Sequence, residues 1–425
     1  MRPDSSLSRR EYLKAAVALG GATGLSACLD RFDDRDPVPT GVDDPAALPR
    51  RQFAWADRVR HDDAGNTLLP RHQALWYLDL PGDSPPDAAA RDRVEAALAA
   101  LDRAYERSNE GLLSSLAYSP AYFDRYDESL PEDIDLPEPR PLSDFETPEF
   151  DRQDALLHLA SDRADVVLEA EAALRGETDA NGVSVPPLTS VLDVDDRRTG
   201  FVGAGLPAAK QDVAGVPDSK PVPEQSPLFM GFMAGFARNQ ASEDDVTIDE
   251  GPFAGGTTKV VANLRQRLND WYGEQDYNDR VAELFSPTHA AEGWVEGVGE
   301  NLDADSRVDE VLDSLLDDAR ESGRAGHAQK AARANRDADG NVRLLRRHFE
   351  STDDDVASLH FPSLQRGVTA FEDVRVAMNG ADVAAETPAV RQRVNNGILE
   401  YVFVRYRGNF LVPPRDHRSL PTPRP

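Results

Sequence analysis

One cysteine, Cys28, stands in a chain of 425 residues. A single thiol makes no internal disulfide, and neither a thiolate-ligated zinc site nor an iron–sulfur cluster finds its ligands here. Lysine is scarce beside arginine, and 47 basic against 76 acidic residues leave a net charge of −29. No cluster of Lys and Arg with interleaved aromatics occurs, which excludes nucleic acid as a partner, because phosphates need such a patch. The acidic excess reads as a solvated coat. It suits salt-rich surroundings, where the screening length falls to about 3 Å at 1 M and self-repulsion is damped. The uncharged run at residues 15–27 falls short of the roughly 20 apolar residues that span a bilayer. The Gly255-Gly256 turn lacks the Gly-Lys-Ser/Thr ending of a phosphate loop. Nothing assembles a zinc site or a Ser-His-Asp triad.

What is present begins at the N-terminus. Ser8-Arg9-Arg10-Glu11-Tyr12-Leu13-Lys14 precedes that uncharged run, which closes on Leu25-Ser26-Ala27-Cys28. The first stretch resembles a twin-arginine export signal, and the second resembles a lipobox, at which the signal is cut and the cysteine acylated. The pair predicts a signal peptide over residues 1–27 and a lipid on Cys28, holding the protein at the extracytoplasmic face of the membrane. Residues 28–65, rich in Asp, Pro and Arg, read as a disordered acidic tether.

From there the hydrophobic pattern predicts an α+β fold of two ferredoxin-like βαββαβ units packed sheet to sheet. The first unit, residues 66–202, carries strands near 74–80, 111–118, 155–160 and 189–202, with helices at 88–105 and 166–174. Residues 203–226, with Pro207, Pro217, Pro221 and Pro223, form a linker. The second unit, 227–414, carries helices at 278–285, 308–319, 369–378 and 386–396. Its strands are expected at 342–347 and 357–364, with a closing hairpin, 399–406 and 409–412, around Arg407-Gly408. Residues 415–425 are a polar, proline-rich tail. His158 interrupts an apolar strand and reads as a core imidazole.

Several stretches, in order, resemble the dye-decolorising (DyP-type) haem peroxidases. They are SSLAYSPAYFDRY (114–126), DALLHLASDRADVVLEAEAALRG (154–176), GGTTKVVANLRQRLNDWY (255–272) and GILEYVFVRYRGNFLVPP (397–414). The haem-binding segment of that family resembles residues 327–349, HAQKAARANRDADGNVRLLRRHF. The resemblance implies haem b, with His327, in a weakly patterned loop, as the axial iron ligand. It implies Arg346 on the peroxide-binding face and Glu400 as the carboxylate that buttresses the ligand histidine. Arg347, its neighbour on a strand, is expected to face solvent or a haem propionate. His348, on the same strand, is a weaker candidate ligand, as are His289 and His360.

One departure bears on chemistry. Gly231-Phe232-Met233-Ala234-Gly235 sits where the family carries GxxDG, so Ala234 takes the place of the acid that moves a proton between peroxide oxygens. Loss of such a base typically costs ~10²–10⁴ in rate. The resemblance therefore implies a peroxidase using peroxide and an organic electron donor, with oligomerisation left open. The alternatives are a haem-binding or iron-acquisition protein without turnover, and a haem-free structural relative. Trp271 and Tyr272 are candidates for electron relay, with core packing as their ordinary fate.

Overall fold

Strands buried on both faces explain why the chain's apolar runs are nearly continuous. In β1 (His72–Asp79) the alternate residues Trp76 and Leu78 face a helical layer, while Leu75 and Tyr77 face the opposite sheet. The computed structural model describes residues 36–425, so the expected signal segment and Cys28 lie outside the described residues. After β1 come α1 (Ala88–Ala104), β2 (Leu113–Tyr118), β3 (Ala155–Ser161), α2 (Ala164–Leu174) and β4 (Asp193–Phe201). Asp87 caps α1 by accepting a hydrogen bond from the Ala90 amide at 2.7 Å, and the Val94, Ala97, Leu98, Leu101 face is buried. The antiparallel order is β4-β1-β3-β2.

The second half repeats this order. Its strands are β5 (Thr257–Gln266), β6 (Leu345–Arg346), β7 (Phe349–Ser351), β8 (Ser358–Gln365) and β9 (Val402–Val412). They run β9-β5-β8, with β6 and β7, two pieces of one interrupted strand, beside β8. The halves close on one another edge to edge: Leu411 pairs with Tyr118, and Glu350 with Phe201. Tyr77, Leu156, Val261, Phe349 and Phe410 fill the space between the two sheets. The expected α+β fold of paired ferredoxin-like units is the observed one.

Between β5 and β6 the second half carries a long helical excursion. It contains α3 (Leu268–Glu274), α4 (Tyr277–Leu284), α5 (Pro287–Ala291), α6 (Leu315–Ser322) and α7 (His327–Ala334). After β8 come α8 (Val368–Ala377) and α9 (Ala381–Glu386).

Several local expectations are corrected. The helix expected over 308–319 is a short 3-10 turn, Val308–Val311, followed by α6, because the two apolar patches serve different places. Val308 faces a cavity, whereas Leu315 and Ala319 pack with Val383 and Val390. The helix expected over 386–396 instead ends at Glu386: Pro388 disfavours helix at the residue before it, and Asn395 is left-handed at φ 56°. The closing hairpin is one continuous strand, β9, with a register shift between Val404 and Tyr406. Gly408 permits close approach there rather than a turn, since a Cβ would stand 2.6 Å from the Phe410 ring.

The tether is corrected from residue 36 onward. Phe53, Trp55 and Val59 are buried, and the Gln52 side chain donates to the Pro413 and Leu116 carbonyls. Their aperiodic spacing hides them from pattern reading. The tail is docked as well, with Arg418 bonded to Glu95 and Asp102 on α1.

Candidate functional site

The expected loop around His327 is a helix, and His327 is the first residue of α7. Its backbone is held tightly on two sides. At Gly326 a Cβ would collide with the Phe285 carbonyl oxygen at the end of α4. At Gly397, left-handed at φ 62°, one would lie 3.0 Å from the His327 Cα. The imidazole is half-buried and has no hydrogen-bond partner among the described residues. Burial, with Lys330 and Arg346 nearby, pushes its pKa down to about 3, so the ring is neutral and its lone pair is free.

The ring lines a cavity with about 1050 Å³ of empty space, open mouth included. Apolar side chains such as Phe232, Phe285, Leu359, Phe361 and Ile398 form most of the wall. Arg346 lines it too. Its Nε donates to Gln240 Oε1 at 3.0 Å and its Nη2 to the Asn239 carbonyl at 2.8 Å, and no carboxylate pairs with it among the described residues. Burial lowers its pKa to about 10, which leaves a cation with no countercharge. A second, larger opening shares Leu228, Met233, Ala234, Gly235, Arg346 and His348 with the first. The structure thus brings His327, Arg346 and Ala234 to one cavity.

Glu400 is not brought there. It ends the 3-10 turn Gly397–Glu400, off the cavity wall, in the field of Glu274, Arg267 and Arg393. The buried carboxylate next to α7 is Glu283, on α4 two residues before Phe285. Neither of its oxygens has a hydrogen-bond partner, Arg324 Nε stands 3.9 Å away, and burial raises its pKa to about 7. Arg347 faces neither solvent nor the first cavity. It stacks over the Trp55 ring at 4.1 Å and donates to Glu243 and the Phe53 carbonyl. Trp271 and Tyr272 donate to the Met230 and Phe229 carbonyls, as core residues do.

Sequence reasoning gave His348 only as a weaker ligand candidate and missed Glu350. Both line the first cavity, and Arg346, His348 and Glu350 are alternate residues of one interrupted strand. Period-two alternation from Arg346 would have found them. Burial raises the Glu350 pKa to about 8, and its Oε2 has no partner. Glu283 had a signal as the buried-face acid of a short amphipathic helix. Asn239 and Gln240, on a 3-10 turn more than a hundred positions from Arg346 by sequence, had none.

This architecture is that of the DyP-type peroxidases. The encapsulated DyP-type peroxidase from Mycobacterium smegmatis aligns over 89% of this chain and 100% of its own, at 15% identity and a TM-score of 0.55. A variant of DypB from Rhodococcus jostii, in complex with heme, aligns over 86% and 98%, at 17% identity and a TM-score of 0.53. No curated protein matches the chain. By sequence it belongs to DUF7405, a family of unknown function, which matches residues 70–414.

Proposed function

We propose that this chain is an exported, lipid-anchored haem protein that binds haem b through His327 and reduces peroxide at the expense of an organic donor. The observation that carries the reading is the neutral, unpartnered imidazole of His327 opening on a largely apolar cavity, whose wall also holds an uncompensated Arg346. These residues fit a haem: an apolar slot for the macrocycle, a free lone pair for the iron, and a cation for its carboxylates or for a bound oxygen ligand. Bound there, haem supplies a redox-active iron for the two-electron reduction of peroxide.

The protein's own residues then do the following. Gly326 and Gly397 hold the His327 backbone at the cavity wall. Glu283, rather than Glu400, is the carboxylate buried near the ligand helix, and its charge bears on Lys330 there. Arg346 stabilises negative charge on the leaving oxygen of a peroxide. Ala234 provides no proton acceptor, so turnover is slow relative to haem affinity. That same substitution is the observation behind the second reading, a haem-binding protein without turnover. Export and the Cys28 anchor rest on the twin-arginine and lipobox motifs, and the electron donor is left open.

The test is an absorbance spectrum after haem reconstitution. A Soret band in the wild-type chain that His327→Ala abolishes supports the reading; a band of equal strength in the variant ends it. Peroxide added to the reconstituted protein then separates the peroxidase from the silent haem carrier.

A further inference from the structure

The first half sends one short hairpin across to the loops around Arg346. Its strands, Arg60–His61 and Thr67–Leu68, are two residues each, and all four side chains are exposed. Asp62 folds the turn between them: its Oδ1 accepts from the Ala64 and Asn66 amides at 3.0 and 2.8 Å, and Gly65 is left-handed at φ 87°. The first half holds the base, where Asn109 Oδ1 accepts from the Arg60 amide at 2.7 Å and Nδ2 donates to the Leu68 carbonyl at 3.2 Å. Of residues 60–68, Asn66 alone is buried.

Both ends of the Asn66 side chain reach the second half. Its Oδ1 accepts from the Ala237 amide and its Nδ2 donates to the Asp303 carbonyl, each at 2.8 Å. Ala237 opens the 3-10 turn Ala237–Asn239. Asp303 opens a loop in which two residues other than glycine, Asp303 and Arg307, are left-handed at φ 52° and 58°. Such backbone persists only where its surroundings hold it. Turn and loop are also bonded to each other, through the Arg238 amide and the Ala304 carbonyl at 3.1 Å and through Ser306 and Asn239 Oδ1. The same turn holds Arg346. The Asn239 carbonyl and Gln240 Oε1 accept from its guanidinium, and Gln240 bonds its backbone twice, accepting from the amide at 3.1 Å and donating to the carbonyl at 2.9 Å. Asn66, Ala237, Gln240 and Arg346 line the second opening together.

We propose that Asn66 is a positioning residue for Arg346. By tying the Ala237 amide to the Asp303 carbonyl, it fixes the turn whose acceptors aim the guanidinium along the wall that the two cavities share. Without that side chain the amide and the carbonyl turn to water, and the turn gains a freedom that Arg346 inherits. Where Arg346 is held follows from these bonds alone. What its placement contributes to turnover rests on the peroxidase reading.

The test is a double-mutant cycle in the haem-loaded protein, read as the second-order rate of its reaction with hydrogen peroxide. Asn66→Ala is expected to slow that reaction about tenfold, with haem affinity in a Soret titration and the urea midpoint of the haem-free protein nearly unchanged. Asn66→Asp keeps the acceptor for Ala237, loses the donor to Asp303, and is expected to fall between wild type and Asn66→Ala. Arg346→Leu slows the reaction further, and adding Asn66→Ala to it is expected to cost nothing more, because no guanidinium remains to be aimed. Equal slowing by Asn66→Ala with and without the Arg346 side chain overturns the proposal, and so does a wild-type rate in Asn66→Ala. If the wild type takes up no haem, or takes it up and leaves peroxide unreduced, the peroxidase reading fails and the positioning is judged in the haem-free protein by amide hydrogen exchange. Faster exchange in Asn66→Ala at the Arg346 amide as well as at Ala237 sustains it. Faster exchange confined to Ala237, or none at either, sinks it.

Discussion

The two halves share one strand order and put it to different uses. In the first, α1 and α2 cover the outer face of the sheet, and Trp76, Leu98, Leu101, Leu157 and Val167 close a continuous core beneath them. In the second, the corresponding connection after β5 is a helical excursion of five helices, and the strand that follows is broken between Arg346 and Phe349. The cavity lies where the excursion meets the broken strand. The shared fold therefore supplies a rigid frame, and the departure from it supplies the site. Among the described residues, His327 and His348, which make no hydrogen bond, and the unpartnered oxygens of Glu283 and Glu350 all belong to the second half.

The largest expected effect tests that division directly. His327→Ala is expected to abolish haem uptake, read as loss of the Soret band, while urea unfolding of the haem-free protein stays unchanged. A matching loss of stability would make His327 a core residue like any in the first half. Next, Leu157→Ala in the first half is expected to cost about 2–5 kcal/mol in urea unfolding, as buried leucines do, without shifting the Soret band under native conditions. A displaced Soret maximum in that variant would mean the halves are not separable in function.

Third comes a pH effect. Glu350 has its folded-state pKa raised to about 8, so the native state holds a proton that the unfolded chain gives up near the ordinary glutamate range. Protein stability then falls as pH rises from about 5 to past 8. Glu350→Gln is expected to flatten that slope and to be the more stable protein at alkaline pH by a few kcal/mol, since each tenfold change in proton affinity is worth about 1.4 kcal/mol. Parallel stability–pH curves for the two proteins in chemical denaturation would refute the assignment. The smallest effect concerns the two acids near the ligand helix. Glu400→Gln is expected to leave the reduction potential of the haem-loaded protein where it was, whereas Glu283→Gln raises it by removing negative charge near the iron's ligand. The reverse ranking would restore Glu400 to the role the sequence implied.

The first half was the more legible. Its strands lie close to where residues 74–80, 111–118 and 155–160 were expected, because apolar runs bounded by turn residues carry their own signal. The second half misled where a residue had two demands upon it. Gly408 looked like a turn and is a point of close packing; residues 308–319 looked like one helix and divide between a cavity and a core. Arg347 was expected outward because it alternates with Arg346, and it does point the other way. What lies on that side is the Trp55 ring, contributed by a segment with no pattern of its own.

By itself the sequence determined the repeated α+β frame, the acidic excess and the presence of a histidine followed by an Arg346 strand, since each is written in local periodicity, composition or order. Only the tertiary structure decided which carboxylate is buried near that histidine, and which side chains share the cavity wall with that arginine. Both depend on atoms brought together from segments far apart in the chain, and an unpartnered atom is a property of what surrounds it, which no local pattern records.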